Sequence, residues 1–275
     1  MSYFDIEFAA VTDIGKIREK NEDNVLISSD LSLGIVADGM GGHSAGEIAS
    51  NIAVSVLAET IRKINRKQLS VPETFLPRLT PTARKLLLAA NLANEAIYST
   101  AQTSDMYKMM GTTLTGVIFD EENATTVHVG DSRLYLFRND KFVQITTDHS
   151  LAMEHVRQGL LTKEEANHSR VQNILTRAMG IKRSIEFDLL KFPVQIGDTL
   201  LLCSDGLYKG LSDVQIAKIL REGESTPLVK LCKQLVRLSN ERDGQDNIST
   251  VLIRILPPQK LTLKQRLKKL FSLSK

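Results

Sequence analysis

Leu33-Gly34-Ile35-Val36-Ala37-Asp38-Gly39-Met40-Gly41-Gly42-His43 joins an apolar run to a carboxylate and a glycine-rich turn. The part from Leu33 to Asp38 predicts a strand, and Ser44-Ala45-Gly46-Glu47 directly after it has the spacing of a helix capping box. Apolar residues then recur at helical spacing, which predicts a helix to about Ile64. Asp38 therefore lies at a strand end, where fixed backbone can aim a side chain into a site.

Three more aspartates repeat this arrangement. Asp131 and Asp205 each follow an apolar β-type segment, and Asp246 comes just before one, residues 248 to 255. A single Asp-Gly pair most often makes only a turn, but turn chemistry does not predict acids at four separate strand ends. Because Mg²⁺ and Mn²⁺ prefer oxygen ligands, the four acids suggest a divalent-cation site.

A cation that could hold phosphate is the second part of the predicted site. Arg18 precedes Asn21-Glu22-Asp23 in a loop after the first predicted strand, Phe4 to Val11. A guanidinium fork matches two phosphate oxygens, and two divalent ions can acidify a water and neutralise a phosphoryl group under attack. The residues thus favour metal-assisted chemistry at phosphorus.

The histidines and cysteines support fewer conclusions. His43 either donates a proton to a leaving alkoxide or contacts solvent before the first helix. His149 is interpreted as a helix-capping or packing residue, and His128 as a core or sheet-surface residue. Cys203 and Cys232 are interpreted as small, buried apolar residues.

The order of the predicted elements indicates an α+β fold. Strands come in runs joined by turns too short for crossovers, which favours antiparallel sheets with helices packed on their faces. Residues 112 to 145 read as an antiparallel meander, and Thr80-Pro81 begins a second helix that reaches about Thr103. The polar segment 148–180, with a capping box at Thr162 to Glu165, reads as a helical insertion. The sequence has no glycine-rich nucleotide-binding motif.

Length and composition are those of an ordinary globular protein. The 275 residues, 42% of them hydrophobic, suffice for a buried core. No apolar stretch approaches the roughly 18 to 20 residues that span a bilayer, and the N-terminus lacks a basic segment followed by an apolar one. We therefore predict a cytoplasmic protein, and a monomer, because nothing in the sequence indicates an obligate assembly.

Charge is distributed unevenly along the chain. The formal net charge is +3, yet six basic and no acidic residues occur from Lys260 onward, so the rest of the chain is mildly acidic. We predict no nucleic-acid partner, because that usually needs a basic patch on the folded domain. Leu263, Leu267 and Leu270 have helical spacing opposite lysines. Residues 260–275 form either an amphipathic helix that contacts a membrane surface or an acidic partner, or a solvated terminus.

Six motifs occur together in a specific order: Arg18-Glu19-Lys20-Asn21-Glu22-Asp23, Asp38-Gly39-Met40-Gly41-Gly42-His43, Gly111-Thr112-Thr113, Gly130-Asp131-Ser132-Arg133, Ser204-Asp205-Gly206-Leu207 and Asp246-Asn247. In this order they closely resemble the metal-dependent PPM (protein phosphatase 2C) family, in particular its bacterial serine/threonine phosphatases. The resemblance implies an αββα sandwich of two central antiparallel sheets flanked by helices. Residues 1–256 would form the phosphatase domain, residues 148–180 its flap, and residues 257–275 a basic tail.

The resemblance also implies a metal centre with two Mn²⁺ or Mg²⁺ ions. Asp38 would bridge both ions, and the Gly39 carbonyl would bind one of them. Asp205 and Asp246 match ligands on the other side of the centre. Asp131, together with Asp205, matches the pair that binds a weaker third ion in bacterial members.

Other matching positions imply roles in binding and in activating water. Arg18 corresponds to the arginine that grips phosphate, while Glu22 and Asp23 correspond to acids that orient water. Met40 stands where animal members have a histidine proposed as the general acid. His43, three residues on, or a water would then protonate the leaving group.

The implied reaction is hydrolysis of phosphoserine and phosphothreonine in proteins by a metal-activated water, without a phosphoenzyme. Its partners would be phosphorylated proteins, as substrates or products of a serine/threonine kinase. The alternative is a non-catalytic regulatory module of the same fold that binds phosphoproteins. An Asp-rich calcium-binding domain is less favoured, because the acids are dispersed rather than gathered in one loop.

Overall fold

The computed structural model describes residues 3–41, 45–72, 76–166 and 169–258. In these ranges the chain forms strands β1 (Asp5–Asp13), β2 (Asp23–Ser28), β3 (Leu33–Met40), β4 (Gly111–Thr112), β5 (Leu114–Phe119), β6 (Asn123–Val129), β7 (Arg133–Arg138), β8 (Lys141–Gln144), β9 (Asp188–Pro193), β10 (Thr199–Cys203) and β11 (Ile248–Leu256). The helices are α1 (Ala45–Asn65), α2 (Pro81–Ala101), α3 (Leu151–Arg157), α4 (Lys163–Ala166), α5 (Asp205–Gly210), α6 (Asp213–Glu222) and α7 (Leu228–Arg242).

The strands form two antiparallel sheets. The first sheet has the order β1-β11-β10-β7-β8, and the second has the order β2-β3-β5-β6-β9, with β4 paired to β3. Strands β5 and β10 are buried along their whole length, as expected for strands covered on both faces. The two sheets therefore form the inner layers of the molecule.

Three apolar clusters define the layers. The cluster between the sheets takes residues from both, among them Val36, Val117, Leu200 and Val251. A second cluster packs α1 and α2 on the second sheet, and a third packs α5, α6 and α7 on the first sheet. This arrangement confirms the predicted αββα sandwich.

Helix α1 shows why the sequence packs in this way. Ala45, Ala49 and Ala53 are fully or almost fully buried and recur every four residues along one helix face. Small side chains on that face let the helix backbone approach the second sheet closely. As a result, the start of α1 lies next to the end of β3, where Asp38 is located.

Predicted helix starts are confirmed where their capping residues are described. The Thr80 hydroxyl accepts a hydrogen bond from the Ala83 amide at 3.3 Å, and Pro81 is the first residue of α2. Ser212 and Gln215 form a reciprocal capping box at α6. The capping prediction for Ser44 lies outside the described residues.

Two predictions about the fold are wrong in detail. Residues 112–145 do not form one meander, because β6 pairs with β9 in the second sheet while β7 pairs with β10 in the first. The chain crosses between the sheets at residues 130–132, and Gly130 has a positive φ of 105° there. The sequence Asp205-Gly206, interpreted as a turn, is instead the beginning of helix α5.

The insertion, residues 148–180, is less helical than predicted. It contains only α3 and α4, of seven and four residues, within its described part. A bridge between Ser150 and Leu175 joins its two ends to each other, and a bridge between Thr112 and Met179 attaches its last part to β4. The predicted tail helix, residues 260–275, lies outside the described residues. No helix in the described ranges is long and apolar enough to cross a bilayer.

Candidate metal centre

One cavity of about 710 Å³ lies where ends of both sheets meet the last part of the insertion. Most of the residues predicted to form the site line this cavity. They are Arg18, Glu22, Asp38, Gly39, Asp131, Asp205 and Asp246. Of the other two, Asp23 lies just behind the cavity wall, and His43 falls outside the described residues.

Asp38 is held by its backbone. Its amide donates a hydrogen bond to the Thr113 hydroxyl at 2.9 Å. Its carbonyl accepts hydrogen bonds from the Thr113 amide and the Thr112 hydroxyl, both at 2.9 Å. Thr113 is fixed in turn by a 2.8 Å hydrogen bond between its hydroxyl and that of Ser132. The main-chain bonds therefore fix the backbone of Asp38, so the side chain contributes a carboxylate from a rigid base.

Gly39 lies where three segments of backbone meet. A Cβ atom at this position would lie 2.2 Å from the Gly46 carbonyl oxygen and 2.5 Å from the Glu22 carbonyl oxygen. Any side chain would therefore separate β3 from α1 and from the loop before β2. The close approach explains the glycine, and it leaves backbone atoms of this residue at the cavity wall.

Asp131 is placed by the crossing between the sheets. A Cβ atom at the preceding Gly130 would lie 2.6 Å from the side chain of Thr113, so the crossing needs a glycine. The Asp131 carbonyl accepts a hydrogen bond from the Tyr208 hydroxyl at 3.1 Å. On the other side, the His149 amide donates to the Gly130 carbonyl at 2.7 Å. The acid therefore sits between helix α5 and the insertion.

Asp205 is the first residue of α5, and its two oxygens differ. One, Oδ2, is bonded to the ammonium of Lys209, whereas Oδ1 is buried and has no hydrogen-bond partner among the described residues. The preceding residue, Ser204, donates from its hydroxyl to Asp23 Oδ2 at 2.7 Å and accepts from the Ser249 amide at 2.9 Å. Asp23 therefore ties β2 to the start of α5 from behind the cavity wall.

Arg18 and Asp246 form an ion pair at the mouth of the cavity. The Arg18 Nη2 atom lies 2.8 Å from Asp246 Oδ1 and 2.9 Å from Oδ2. The arginine side chain is 49% exposed, so it can meet a ligand that arrives from solvent. Nearby, the Glu22 carboxylate accepts a hydrogen bond from the Gly46 amide in the first turn of α1.

The sequence interpretation did not recognise what Asn247 does. Its side-chain amide donates to the carbonyls of Ile14 and Lys20, both at 2.9 Å, and its oxygen accepts from the Glu22 amide at 2.8 Å. These bonds hold the loop that carries Arg18. The adjacent motif Asp246-Asn247 marked the position, but only the structure shows that the amide fixes a loop more than two hundred residues away.

The buried acids destabilise one another's charged forms. Burial, and then the negative charges of Asp23 and Asp205, raises the pKa of Asp38 well above its usual range. Burial and the charge of Asp205 raise the pKa of Asp131 to about 8. The pKa of Asp23 rises to about 7, mainly through burial. Without a compensating cation, this cluster therefore resists full ionisation at neutral pH.

The donor set fits a divalent metal ion. Every candidate side chain offers oxygen, and the buried oxygens Asp23 Oδ1 and Asp205 Oδ1 lack hydrogen-bond partners within the described ranges. In those same ranges, no three acidic, histidine or cysteine side chains are arranged to enclose one ion. Mg²⁺ and Mn²⁺ keep several water ligands and take few carboxylates. The spread of the acids is therefore compatible with these ions and unlike a closed structural site.

The opposite wall of the cavity comes from the insertion and the residues that follow it. It mixes apolar residues, such as Leu175 and Ile181, with polar ones, and it carries the cations Arg177 and Lys182. The Arg177 guanidinium is bonded to Asp188 at 3.0 Å. No histidine from the described part of the chain lines the cavity. This wall can contact a substrate but offers few groups for chemistry.

His128 and His149 pack against each other away from the cavity lining. Both are almost fully buried, and their ring centroids lie 4.9 Å apart. The His128 ring contacts the Thr115 hydroxyl at 3.0 Å, and His149 lies 3.2 Å from Asp188. The packing roles predicted for the two histidines are confirmed.

This fold is similar to those of solved bacterial phosphatase structures. The structure of the Mycobacterium tuberculosis serine/threonine phosphatase PstP/Ppp matches with a TM-score of 0.79 and 32% identity, over 91% of this chain and 99% of that one. A structure of the PstP catalytic domain in complex with two manganese ions matches with a TM-score of 0.77 and 32% identity, over 92% and 99% of the two chains. The fold is that of the bacterial serine/threonine phosphatase class.

The sequence comparisons identify the family. The family model described as protein phosphatase 2C matches residues 18–253. The serine/threonine phosphatase Stp of Listeria innocua is 38% identical over 246 residues, which cover 88% of this chain and 93% of that protein. The protein phosphatase PhpP of Streptococcus pneumoniae is 34% identical, with 90% and 97% of the chains covered. The chain belongs to the protein phosphatase 2C family, as its motifs predicted.

Proposed function

We propose that the protein hydrolyses phosphoserine and phosphothreonine in other proteins. The observation that carries this proposal is the convergence of Asp38, Asp131, Asp205 and Asp246 on one cavity, with Arg18 at its mouth. These residues come from five separate parts of the sequence. Relatives with the names serine/threonine phosphatase Stp and protein phosphatase PhpP support the same activity.

Asp38, Asp205, Asp246 and the Gly39 carbonyl would hold two Mn²⁺ or Mg²⁺ ions. When bound, these ions supply an acidified water and neutralise the phosphoryl oxygens. The protein fixes the positions of these ligands: hydrogen bonds hold the backbone of Asp38, and Asp205 is the first residue of the short helix α5. The solved structure of the PstP catalytic domain is in complex with two manganese ions, which supports this cofactor.

Arg18 would bind two phosphate oxygens with its guanidinium fork. Its ion pair with Asp246 orients the side chain across the cavity mouth, and Asn247 holds the loop on which it lies. A bidentate contact of this kind orients phosphorus for attack from the cavity floor. Glu22 also lines the cavity, and its carboxylate would orient the attacking water.

The leaving alkoxide needs a proton, and no covalent phosphoenzyme is required. His43 remains the proposed donor, with water as the alternative. Gly41, two residues before His43, lines the cavity, and α1 begins two residues after it. Physiological partners would be phosphorylated proteins that a serine/threonine kinase produces.

Phosphate release from phosphothreonine, phosphoserine and phosphotyrosine peptides tests the proposal. We expect release from the first two with Mn²⁺, and its loss on addition of EDTA. Asp38→Asn should lower the rate by at least about 10²-fold, since it removes a fixed charge from the reacting centre. Asp30→Asn, in the turn at the other end of the β2–β3 hairpin, is the matched control and should keep normal turnover.

Near-normal turnover of Asp38→Asn would refute the proposed centre. A protein that binds phosphothreonine peptides in a Mn²⁺-independent way, without releasing phosphate, would instead be the regulatory module. Calorimetry with Mn²⁺ and Ca²⁺ separates both outcomes from a calcium-binding domain, which would prefer Ca²⁺.

A further inference from the structure

Lys209 is a cation built into the acidic wall of the cavity. It lies four residues after Asp205 on α5, so both side chains project from the same helix face. Its ammonium is bonded to Asp205 Oδ2, and its side chain is only 25% exposed. Lys209 also lines the cavity itself. The sequence interpretation missed it because α5 was interpreted as a turn.

The ammonium acts on two acids at once. Burial alone would lower the pKa of Lys209, yet attraction to Asp205, and to Asp246 and Asp131 beyond it, raises it. The charge of Lys209 in turn opposes the rise in the pKa of Asp131 that burial and Asp205 cause. Because its ammonium is bonded to Asp205 and it lines the same cavity as Asp131, Lys209 offsets part of the charge of both acids.

The other cations near this pair are already engaged. Arg133 donates to Asp148 from both Nε and Nη2, at 2.7 to 3.1 Å, and its guanidinium stacks 3.6 Å from the centroid of the Tyr208 ring. Arg18 is paired with Asp246 at the cavity mouth. Lys209 is thus the cation that the described structure assigns to Asp131 and Asp205.

The bond from Lys209 also makes the two oxygens of the Asp205 carboxylate different from each other. Oδ2 is held by the lysine, while the buried Oδ1 is left without a hydrogen bond from the described residues. Two neighbouring carboxylates usually share a cation, because their charges repel and both offer ligand oxygens. Here a fixed ammonium occupies one of those oxygens and supplies positive charge without a metal.

We propose that Lys209 is a positioning residue that satisfies the charge of the Asp131–Asp205 pair, so that this pair takes no divalent ion of its own. The inference rests on the proposed function, since it concerns how many ions that centre holds. Lys209 leaves Asp205 Oδ1 for the two-ion centre and keeps its partner oxygen occupied. The weaker third ion implied by the family resemblance should then bind only after the lysine is removed.

Ion counting by equilibrium dialysis against Mn²⁺, with free Mn²⁺ measured by electron paramagnetic resonance, tests the inference. We expect two ions per chain in the unsubstituted protein and three in Lys209→Met, the third one weaker. Lys209→Arg keeps the positive charge, so we expect two ions per chain in this variant. Lys218→Met removes another lysine that pairs with an acid four residues away, Glu222, but on the exposed face of α6, and should also bind two.

Three ions in the unsubstituted protein, or two in both Lys209→Met and a second neutral variant, Lys209→Gln, would overturn the inference. Circular dichroism and thermal melting of each variant confirm that ions are counted on folded protein, and the two neutral variants guard against misfolding of one. A protein that binds no Mn²⁺ and releases no phosphate would refute the proposed function, and this inference with it. A protein with normal two-ion activity and an unchanged count in the neutral variants would refute the inference alone.

Discussion

The cavity has two walls that are built in opposite ways. The acidic wall is assembled from the ends of strands in both sheets and from the start of α5, and its backbone groups are hydrogen-bonded to side chains of neighbouring segments. The insertion wall is a largely irregular segment with two short helices. The contrast shows that rigidity is concentrated where charges must be placed, while the wall that faces a substrate has few internal restraints.

The insertion is attached to the sandwich mainly at its two ends. The His149 amide donates to the Gly130 carbonyl at 2.7 Å, and the Met179 amide donates to the Thr112 carbonyl at 2.9 Å. Between these points, Leu160 and Ile174 are at least half exposed. A segment with so little buried apolar surface should open locally at a lower free energy than the sheets.

The largest effect is expected from Asn247→Ala on the acidic wall. The substitution removes three hydrogen bonds, those that Asn247 makes to the carbonyls of Ile14 and Lys20 and to the amide of Glu22. One intramolecular hydrogen bond contributes about 0.5–1.5 kcal/mol, so the free energy of unfolding should fall by about 1.5–4.5 kcal/mol in a urea titration. Phosphatase activity should fall too, because the loop carries Arg18.

Asn91→Ala is the matched control for this experiment. Asn91 donates only to the Leu87 carbonyl of its own helix, at 2.9 Å, and alanine favours a helix. Its free energy of unfolding should change by less than about 0.5 kcal/mol. Similar losses in the two variants would contradict the idea that Asn247 holds the acidic wall together.

The sequence predicted the strands better than their pairing. The strands predicted at Leu33 to Asp38 and at residues 248 to 255 match β3 and β11 to within two residues, because apolar runs and flanking turns are local signals. The change of sheet at residues 130–132 depends on partners far away in the chain, so no local pattern distinguishes it from a hairpin. Helix α5 was missed because Asp-Gly is also a common turn sequence.

The sequence predicted the acidic residues of the site but not the residues that hold them in position. Asp38, Asp131, Asp205 and Asp246 stand out because each adjoins a strand, and strand ends can converge. The role of Asn247 requires knowing which loop packs on it. The insertion was predicted to be more helical than it is, because its capping box gives a helix start but does not show that α4 has little to pack on.

The charge of the acidic wall should make the stability of the metal-free protein depend on pH. When a chelator removes metal ions, Asp131 and Asp23 have pKa values of about 8 and 7 in the folded protein and therefore keep protons at neutral pH. In the unfolded chain, the same side chains lose their protons near pH 4. The folded state then binds more protons, so stability falls as the pH rises towards 8. The buried histidines have lowered pKa values and change stability only below about pH 6.5.

Thermal unfolding in EDTA between about pH 7 and pH 8 measures the contribution of the buried acids to stability. The free energy of unfolding should fall by on the order of 1 kcal/mol over this interval, since one retained proton corresponds to about 1.4 kcal/mol per pH unit. Mn²⁺ should reduce the slope, because it favours the ionised acids. A stability that rises with pH in EDTA would contradict the described charge cluster.

The smallest effect on stability is expected when a capping threonine is replaced by alanine, once in the sandwich and once in the insertion. Thr80 caps α2 in the sandwich through the Ala83 amide, and Thr162 caps α4 in the insertion through the Glu165 amide at 3.2 Å. Thr80→Ala should lower the free energy of unfolding by about 1 kcal/mol, the usual cost of losing a cap. Thr162→Ala should change it by less than about 0.5 kcal/mol, because α4 can open without unfolding the sheets.

Hydrogen exchange distinguishes a local effect from none. Thr162→Ala should speed exchange of the amides of residues 162–166 while exchange in β5 and β10 stays unchanged. Thr80→Ala should instead speed exchange throughout the sandwich in proportion to its lost stability. If Thr162→Ala lowered global stability as much as Thr80→Ala, the insertion would be part of the same cooperative unit as the acidic wall. Substrate could then not displace the insertion wall without disturbing the acids, because the two walls would open together.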